Sequence, residues 1–324
     1  MISAMLDNTF NLLKKKIPHI KKGILLKDYT TFKIGGPAEY FLLANKKEDI
    51  ITGIAVAKKL QLPIFVFGGG SNVLVSDKGV KGLVIKIANN HDITLKKNTI
   101  TAGAGVVLGE LVALSINHSL QGLEWAGGLP GTFGGAIRGN AGAFGSEIKN
   151  SISQVQALDK KLQLLKLNNT QCQFSYRSSI FKKKQWIILS AMVKLKRGEK
   201  KDLQQIANSR IRYRTEKHPL EYPNAGSMFK NVEFKKVPPK FKKLFLDKVK
   251  DDPFPIVPSA WFIIGAGLTG KRIGGAQVSK KHSNYIVNRG GATAKDILQL
   301  IHFIQKKVRQ KYGVLLEMEV QFVT

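Results

Sequence analysis

Two glycine-rich segments have the residue types and spacing of a site that holds phosphate groups through its backbone. Residues 68–72 read Gly-Gly-Gly-Ser-Asn directly after an apolar run, and successive N–H groups without side chains can form an anion-binding nest. Residues 127–145 contain eight glycines in nineteen positions, which is costly in chain entropy. We therefore expect the backbone to approach a flat or phosphorylated ligand closely at both segments.

A third glycine segment, residues 265–270, matches the dinucleotide fingerprint G-x-G-x-x-G but lacks its context. The following residues, 271–275, continue in turn-like sequence rather than a helix. No Asp or Glu stands ~20 residues further on, where a ribose-binding carboxylate is needed. The pattern instead predicts a glycine at a helix end and a turn. Neither residues 68–72 nor residues 127–145 contain a P-loop motif, which argues against nucleotide hydrolysis.

Composition limits the class of protein. A chain of 324 residues with 43% hydrophobic content can bury a sizeable core in two or three domains. Cys172 is the only cysteine, which excludes an intrachain disulfide and a cysteine-based metal cluster and predicts a cytoplasmic protein. We predict no metal site. No stretch approaches the ~20 apolar residues of a membrane span, so the protein is expected to be soluble, with no membrane partner.

The positive charge gives a less specific signal. The net charge is +30, from 52 Lys+Arg against 22 Asp+Glu, and it favours anions of any kind, including nucleic acid. The lysines form short runs without arginine-rich or aromatic-interleaved stretches. We interpret them as solvated surface and predict no specific nucleic-acid partner.

The pattern of apolar residues predicts the elements that must position these segments. Strands and helices alternate, which predicts an α/β or α+β sandwich. The predicted helices are an N-terminal segment within 1–22 and residues 47–60, 108–117, 200–214 and 294–312. The predicted strands are 39–44, 64–67, antiparallel pieces within 153–167 and 186–196, and a final strand at 314–323. The proline-rich stretch 237–258 is expected to be irregular.

Several motifs together resemble those of one family. They are Thr31-Phe-Lys-Ile-Gly-Gly-Pro-Ala38, the two glycine segments, Tyr176-Arg177-x-Ser179, Asn224-Ala-Gly-Ser-Met-Phe-Lys-Asn231, Arg272-Ile-Gly-Gly-Ala-Gln-Val-Ser279 and Glu317-Met-Glu319-Val320. In this order they resemble the motifs of the UDP-N-acetylenolpyruvoylglucosamine reductase (MurB) family, over residues 23–322. The short gap between Tyr176 and Ser227 resembles the subtype without an extra substrate-closing loop.

The resemblance implies a division into domains and a cofactor. Residues 23–196 are expected to form a two-part FAD-binding domain of the vanillyl-alcohol-oxidase/MurB (PCMH) type, with subdomains 23–89 and 90–196. Residues 205–324 are expected to form a C-terminal α+β substrate-binding domain, whose last strand returns towards the active site. A monomer with noncovalent FAD is expected. The cofactor-binding residues would be Gly68, Gly69, Gly70, Ser71, Asn72, Gly127, Pro130, Gly131, Gly134, Gly135, Asn140, Gly142 and Ala143.

The resemblance also implies a reaction. NADPH would reduce FAD, and UDP-N-acetylglucosamine enolpyruvate would then be reduced in the same cleft to UDP-N-acetylmuramate, for peptidoglycan synthesis. Hydride addition to a vinyl carbon develops an enolate, which needs positive donors and an acid. Arg177 and Glu319 would be the electrophilic pair and Ser227 the proton donor. The substrate-binding residues would be Tyr176, Lys217, Asn231 and His282, whereas His218 is interpreted as structural.

Other interpretations of the same residues remain open. Without the resemblance, Arg177 would be a surface arginine, Ser227 a turn or N-cap residue and Glu319 an exposed carboxylate. One alternative function is an FAD-dependent alcohol oxidase of the same superfamily; such enzymes often tether flavin through histidine, but neither glycine segment contains one. The other is a basic nucleic-acid-binding protein without catalysis. Phe144 departs from the family, whose members often have tyrosine there.

Overall fold

The structure, a computed structural model, describes residues 2–88 and 92–324, with the side chains of the first helix from residue 8 onward. The helices are α1 (Ile2–Lys16), α2 (Lys47–Lys59), α3 (Leu108–Asn117), α4 (Phe133–Gly139), α5 (Ile180–Lys184), α6 (Lys200–Lys217), α7 (Pro239–Phe245), α8 (Ser259–Gly265) and α9 (Ala294–Tyr312). Strands in the first half are β1 (Lys21–Leu25), β2 (Pro37–Ala44), β3 (Ile64–Phe67), β4 (Val73–Val75), β5 (Val80–Ile87), β6 (Ile93–Lys96), β7 (Thr99–Gly103), β8 (Leu120–Gln121), β9 (Gly142–Ala143), β10 (Ser146–Glu147), β11 (Ile152–Leu158) and β12 (Leu164–Asn168). The remaining strands are β13 (Ile187–Lys194), β14 (Lys196–Arg197), β15 (Val232–Glu233), β16 (Lys250–Asp251), β17 (Pro255–Val257), β18 (Arg272–Ile273), β19 (Ala276–Val278), β20 (Ile286–Asn288) and β21 (Gln321–Val323).

The first sheet has the strand order β1-β2-β5-β3 and ends at the first glycine segment. Strands β2, β5 and β3 are parallel, and α2 makes the crossover between β2 and β3. Ile50, Ile54 and Ala57 recur at helical spacing on α2 and are buried against the sheet. Leu13 and Ile17 enter the same core. The N-terminal helix therefore belongs to this layer.

The second sheet is antiparallel, with the order β12-β11-β13-β7-β6. Its buried residues and those of α3 and α4 form one continuous core with the first sheet. Helix α4 was not predicted, because it is short and rich in glycine. Its apolar face consists only of Phe133, Ala136 and Ile137. Thr132 caps it, since its side chain accepts a hydrogen bond from Gly135 N. The expected boundary between 89 and 90 falls outside the described residues.

A separate core organises the C-terminal part of the chain. Helix α9 was predicted correctly, and its residues Ile297, Ile301, Ile304 and Val308 are buried in this core. Small sheets of order β15-β17-β16 and β18-β19-β20 complete this part. The stretch 237–258 is therefore more regular than expected, because it supplies α7, β16 and β17.

Residues 265–270 form the expected helix end and turn. Helix α8 finishes at Gly265, and Gly267 and Gly270 have positive φ angles of 73° and 78°. Strand β18 follows rather than a helix. The structure thus confirms that this G-x-G-x-x-G pattern lacks the geometry of a dinucleotide site.

The C-terminal segment is only partly the strand that was predicted. Residues 321–323 alone form a regular strand, β21, which pairs in parallel with β4. Residues 314–320 run extended beside the loop 224–231, through a bridge between Phe229 and Met318 and a bond from Lys230 N to Glu317 O. This loop is not a regular strand, so a full ladder cannot form along it. The chain end thereby joins the Ser227 loop to the strand after the first glycine segment.

Candidate functional site

The two glycine-rich segments lie directly against each other. A Cβ atom on Gly69 would stand 3.0 Å from Gly131 Cα, and one on Gly68 would stand 2.2 Å from Thr132 Oγ1. Gly70 has a φ of 66°, and its Cβ would lie 2.2 Å from Tyr29 O. Glycine is needed here because neighbouring backbone, and at Gly68 the Thr132 side chain, leaves no room for a Cβ atom.

Contacts within the protein account for further glycines of the second segment. A Cβ on Gly127 would lie 2.6 Å from Ala207 O in α6, and one on Gly134 would lie 2.6 Å from Ala104 Cβ. Gly135, in contrast, is exposed. All these glycines were expected to contact a ligand, but several are required by packing within the protein. The remaining candidates Ser71, Gly142 and Ala143 are partly buried, whereas Asn72 and Pro130 are exposed.

Asn140 has an internal role in this region. It is buried and has a left-handed φ of 43°. Its Nδ2 donates to Glu147 Oε1 at 2.9 Å and to Ser175 O at 3.1 Å. These bonds join the second glycine segment to the turn before Tyr176. A direct role of Asn140 at the cofactor stays a prediction.

Two arginines of α6 supply an independent test of whether FAD fits this region. Arg210 Nε and Arg214 Nη2 are buried and have no hydrogen-bond partner. Their guanidinium carbons lie 4.2 and 5.4 Å from the centre of the Phe144 ring, and Arg214 Nε donates to Gly127 O at 3.0 Å. Buried donors without partners are costly, and the phosphate and carbonyl oxygens of FAD are suitable acceptors. The residues therefore fit this cofactor.

Arg177 and Glu319 form an ion pair between distant parts of the chain. Arg177 Nε lies 3.0 Å from Glu319 Oε1, and each side chain is 21% exposed. Arg177 Nη2 also donates to Gly142 O at 3.0 Å, which ties the pair to the second glycine segment. Burial raises the pKa of Glu319, although the charges of Arg177 and Lys182 oppose that shift. Arg177 has a left-handed φ of 52°, a strained conformation for this residue type.

Ser227 lies on a loop held between two other segments. Met228 O accepts a bond from Glu319 N at 2.9 Å, which places the serine next to the ion pair. On the other side, Ser227 forms a backbone bridge with Tyr285. Thr31 Oγ1 donates to Asn224 O at 2.6 Å, so the first family motif fixes the start of the loop. The structure thus brings Arg177, Ser227 and Glu319 together, as predicted from the resemblance.

The four expected substrate-binding residues divide into two groups. Tyr176 OH accepts a bond from Asn231 N at 3.3 Å, and the guanidinium of Arg177 lies 4.9 Å from the Tyr176 ring centre. His282 instead lies behind Ser227, with its ring centre 4.9 Å from that of Tyr285. Lys217 is exposed at the end of α6. Tyr176 and Asn231 therefore lie beside the ion pair, whereas His282 packs on Tyr285 and a contact of Lys217 with the substrate stays a prediction.

The structure adds residues that the sequence analysis missed. Lys182 Nζ donates to Arg177 O at 3.0 Å and its charge acts on Glu319; it was hidden in a run of three lysines. His218, interpreted as structural, has Nδ1 at 3.1 Å from Tyr285 OH. Burial lowers the pKa of His218 to about 4 and raises that of Tyr285 to about 12. No sequence signal connected these two residues.

The architecture and the site define the class of protein. Residues 38–167 match the model of an FAD binding domain, and residues 218–323 match the model of the C-terminal domain of UDP-N-acetylenolpyruvoylglucosamine reductase. Together with the unsatisfied arginines, these matches identify an FAD-dependent oxidoreductase of α+β fold.

Relatives across the whole chain specify the family. A UDP-N-acetylenolpyruvoylglucosamine reductase of Caldanaerobacter subterraneus subsp. tengcongensis is 38% identical over 323 residues, covering 100% of this chain and 99% of the relative. One of Lachnoclostridium phytofermentans is 40% identical, covering 92% and 91%. The crystal structure of the Thermus caldophilus enzyme matches with a TM-score of 0.74 and 29% identity, covering 94% of this chain and 99% of that one. The chain belongs to the UDP-N-acetylenolpyruvoylglucosamine reductase family.

Two features are not found in the part of the chain that the structure describes. Among residues 2–88 and 92–324, no group of three or more His, Cys, Asp or Glu side chains could hold a metal ion. Within the same ranges, no helix has the length and apolar character needed to cross a membrane.

Proposed function

We propose that this chain catalyses the NADPH-dependent reduction of UDP-N-acetylglucosamine enolpyruvate to UDP-N-acetylmuramate, through noncovalently bound FAD, in peptidoglycan precursor synthesis. The observation that carries the proposal is the meeting of Arg177, Ser227 and Glu319, which come from three distant segments. Residues 23–196 hold the cofactor and residues 205–324 hold most of the substrate. A monomer and a cytoplasmic location stay predictions.

The chain's own residues have separate tasks in this reaction. Bound FAD supplies the hydride that adds to the vinyl carbon of the substrate. Arg177 offers a planar fork of donors to the substrate carboxylate, where the negative charge of the enolate develops. Glu319 holds the guanidinium at 3.0 Å and fixes its direction.

Ser227 supplies the proton that completes the product. A serine hydroxyl is a poor acid, but the carbon of an enolate is a strong base, so a hydroxyl aimed at it can deliver a proton. The bond between Glu319 N and Met228 O sets the spacing between this hydroxyl and the Arg177–Glu319 pair. Tyr176 and Asn231 border the same space and contact the rest of the substrate.

The proposal is tested by separating the two half-reactions in a stopped-flow spectrometer. The purified protein should be yellow and should lose its colour with NADPH. Ser227→Ala should bleach at a near-normal rate but regain colour with the enolpyruvyl substrate ~10²- to 10⁴-fold more slowly, as is typical when a proton-transferring group is lost. Ser227→Cys should retain partial activity, since a thiol also carries a proton.

A matched control and three contrary results make the test decisive. Ser153→Ala removes a hydroxyl that bonds Met192 O in the second sheet and should change neither half-reaction. Wild-type reoxidation by Ser227→Ala would remove the serine from the mechanism. Flavin that stays in the pellet after acid precipitation would favour the tethered alcohol oxidase. A colourless protein that binds DNA in a salt-dependent manner would favour the nucleic-acid alternative.

A further inference from the structure

Behind Ser227, two further side chains lead away from the substrate space. Ser227 and Tyr285 are partners in an antiparallel backbone bridge, which places their side chains next to each other, and the Ser227 side chain acts to lower the pKa of Tyr285. Tyr285 OH in turn lies 3.1 Å from His218 Nδ1. The three groups come from the 224–231 loop, the turn before β20 and the end of α6. They form a continuous path from the proposed acid to an imidazole.

Aromatic packing fixes this path. The Tyr285 ring centre lies 5.1 Å from that of His218 and 4.9 Å from that of His282. His218 also meets His282 at 5.6 Å and Tyr213 at 5.9 Å, both edge-on. Tyr285 is 7% exposed, whereas His218 is only partly buried. The path therefore leads from a buried hydroxyl towards solvent.

Burial is the main reason why both members of the path are neutral near pH 7. The groups that act on His218 are His282, Arg214 and Lys281, and together with burial, the largest cause, they lower its pKa to about 4. Those that act on Tyr285, besides Ser227, are Arg214, Glu319 and Tyr213, while burial raises its pKa to about 12. A neutral phenol and a neutral imidazole can each accept one proton and donate another. This is the property that a proton relay requires.

We propose that Tyr285 and His218 return a proton to Ser227 in every turnover; this rests on the proposed function, in which Ser227 protonates the substrate carbon. As the Ser227 O–H bond breaks, the Tyr285 proton moves to Ser227 Oγ. The proton on His218 Nδ1 moves to the Tyr285 oxygen, and water protonates His218 Nε2, leaving hydroxide in the solvent. Proton exchange of the imidazole with solvent then restores the Nδ1–H tautomer before the next turnover. The imidazole stays neutral and the net proton donor is water. Both residues act through Ser227 and are positioning residues.

The relay is tested with Tyr285→Phe, which keeps the ring and removes the hydroxyl. Flavin reduction by NADPH should be unchanged, while reoxidation by substrate should slow roughly 10- to 100-fold, less than after loss of the acid itself. In mixtures of H₂O and D₂O, the reoxidation rate of the wild type should depend on more than one proton, and that of the variant on one. Tyr213→Phe is the matched control, because it removes a hydroxyl from a ring that also packs on His218; its rates should be those of the wild type.

A second measurement does not depend on catalysis. The ¹⁵N resonance of His218 Nδ1 should shift in Tyr285→Phe but not in Tyr213→Phe, because only the first loses the bond to that nitrogen. His218→Gln should show the same one-proton dependence as Tyr285→Phe. The relay is refuted if Ser227→Ala is slow while Tyr285→Phe has wild-type rates and a multi-proton dependence. If Ser227→Ala itself reoxidises normally, the assignment of the acid fails, and the relay with it.

Discussion

The glycine-rich loops and the surroundings of Ser227 are built in opposite ways. In the glycine-rich loops, Gly69 and Gly70 lie against the backbone of Gly131 and Tyr29, so the fit depends on absent side chains. Around Ser227, side chains from three distant segments meet through single hydrogen bonds and one ion pair. The first region tolerates no added atom, whereas the second depends on the chemical identity of each group. Substitutions should therefore damage cofactor retention in the first region and one half-reaction in the second.

The largest effect should follow a change at Gly70 in the backbone-built region. An alanine Cβ would stand 2.2 Å from Tyr29 O, at a φ of 66°. Gly70→Ala should lower the free energy of unfolding by ~3 kcal/mol or more, because a left-handed alanine costs ~1–2 kcal/mol and the backbone must also shift. FAD content and urea unfolding curves measure the two consequences.

Gly23 provides the comparison that isolates the contact. Its φ is 70°, but a Cβ there would meet nothing within 4 Å. Gly23→Ala should cost only the conformational term, ~1–2 kcal/mol, and should retain FAD. If both variants were equally destabilised, the close approach of the loops would not be what requires glycine at position 70.

Arg177→Lys should have the next largest effect, in the region built from side chains. Lysine keeps the positive charge but loses the planar fork that reaches Glu319 and Gly142 O together. We expect reoxidation by substrate to slow ~10- to 100-fold, or ~1.4–2.7 kcal/mol, with little change in flavin reduction. Equal slowing of both half-reactions would assign Arg177 to the cofactor or the fold.

The lowered pKa of His218 should have a smaller effect, which is a dependence of the free energy of unfolding on pH. The pKa of His218 is about 4 in the folded protein, against an ordinary value of 6.5, so between these values the unfolded chain binds more protons. The stabilisation is thus complete above pH 6.5 and is lost as the pH falls towards 4. With each pKa unit worth ~1.4 kcal/mol and partial exposure reducing it, we expect a loss of ~1–2 kcal/mol.

His218→Gln should remove this loss of stability between pH 6.5 and 4. Urea unfolding at several pH values measures the pH dependence of the free energy of unfolding for both proteins. The raised pKa of Glu319 has the opposite sign, because its contribution to stability falls as the pH rises through the raised value. Both proteins retain Glu319, so it cancels in the difference between them. Identical slopes would mean that His218 is not neutral in the folded protein below its ordinary pKa.

The two regions also differ in how far the sequence predicted them. Helix α9 was predicted because its apolar residues recur at helical spacing, and the structure adds that Thr293 and Asp296 cap its start. The role of the glycine segments in cofactor binding stays a prediction. The sequence did not show why Gly68 and Gly127 must be glycine, since their contacts with Thr132 and Ala207 depend on the folded chain. The fold and the cofactor were implied by the family motifs and are confirmed.

Only part of the side-chain network around Ser227 could be predicted from the sequence. Arg177, Ser227 and Glu319 were grouped through the resemblance, because no periodicity relates segments so far apart. Tyr285 and His218 are 67 residues apart, and each has an ordinary local explanation, one in a buried strand end and one before a proline. Their meeting is set by how α6 and β20 pack, which a single sequence does not show.

Tyr176 tests whether the two regions are energetically separate, and it should give the smallest effect. Its hydroxyl accepts a bond from Asn231 N at 3.3 Å, which links the cofactor side to the Ser227 side. Tyr176→Phe should lower the free energy of unfolding by ~1 kcal/mol, the usual contribution of one such bond. The ring should keep its edge contact with Phe254, whose centre is 5.4 Å away.

The kinetics of Tyr176→Phe distinguish a substrate contact from a structural link. If the hydroxyl binds substrate equally in the ground and transition states, KM rises while kcat stays unchanged. If it holds Asn231 and Arg177 in place instead, kcat falls and reoxidation slows while flavin reduction does not. Tyr222→Phe is the control, because its ring stacks on Arg289, 3.9 Å away, and it should leave both parameters unchanged. Because the Tyr176 hydroxyl contacts the Ser227 loop but not the glycine loops, FAD should stay bound in either case; loss of FAD would show that the two regions form one cooperative unit.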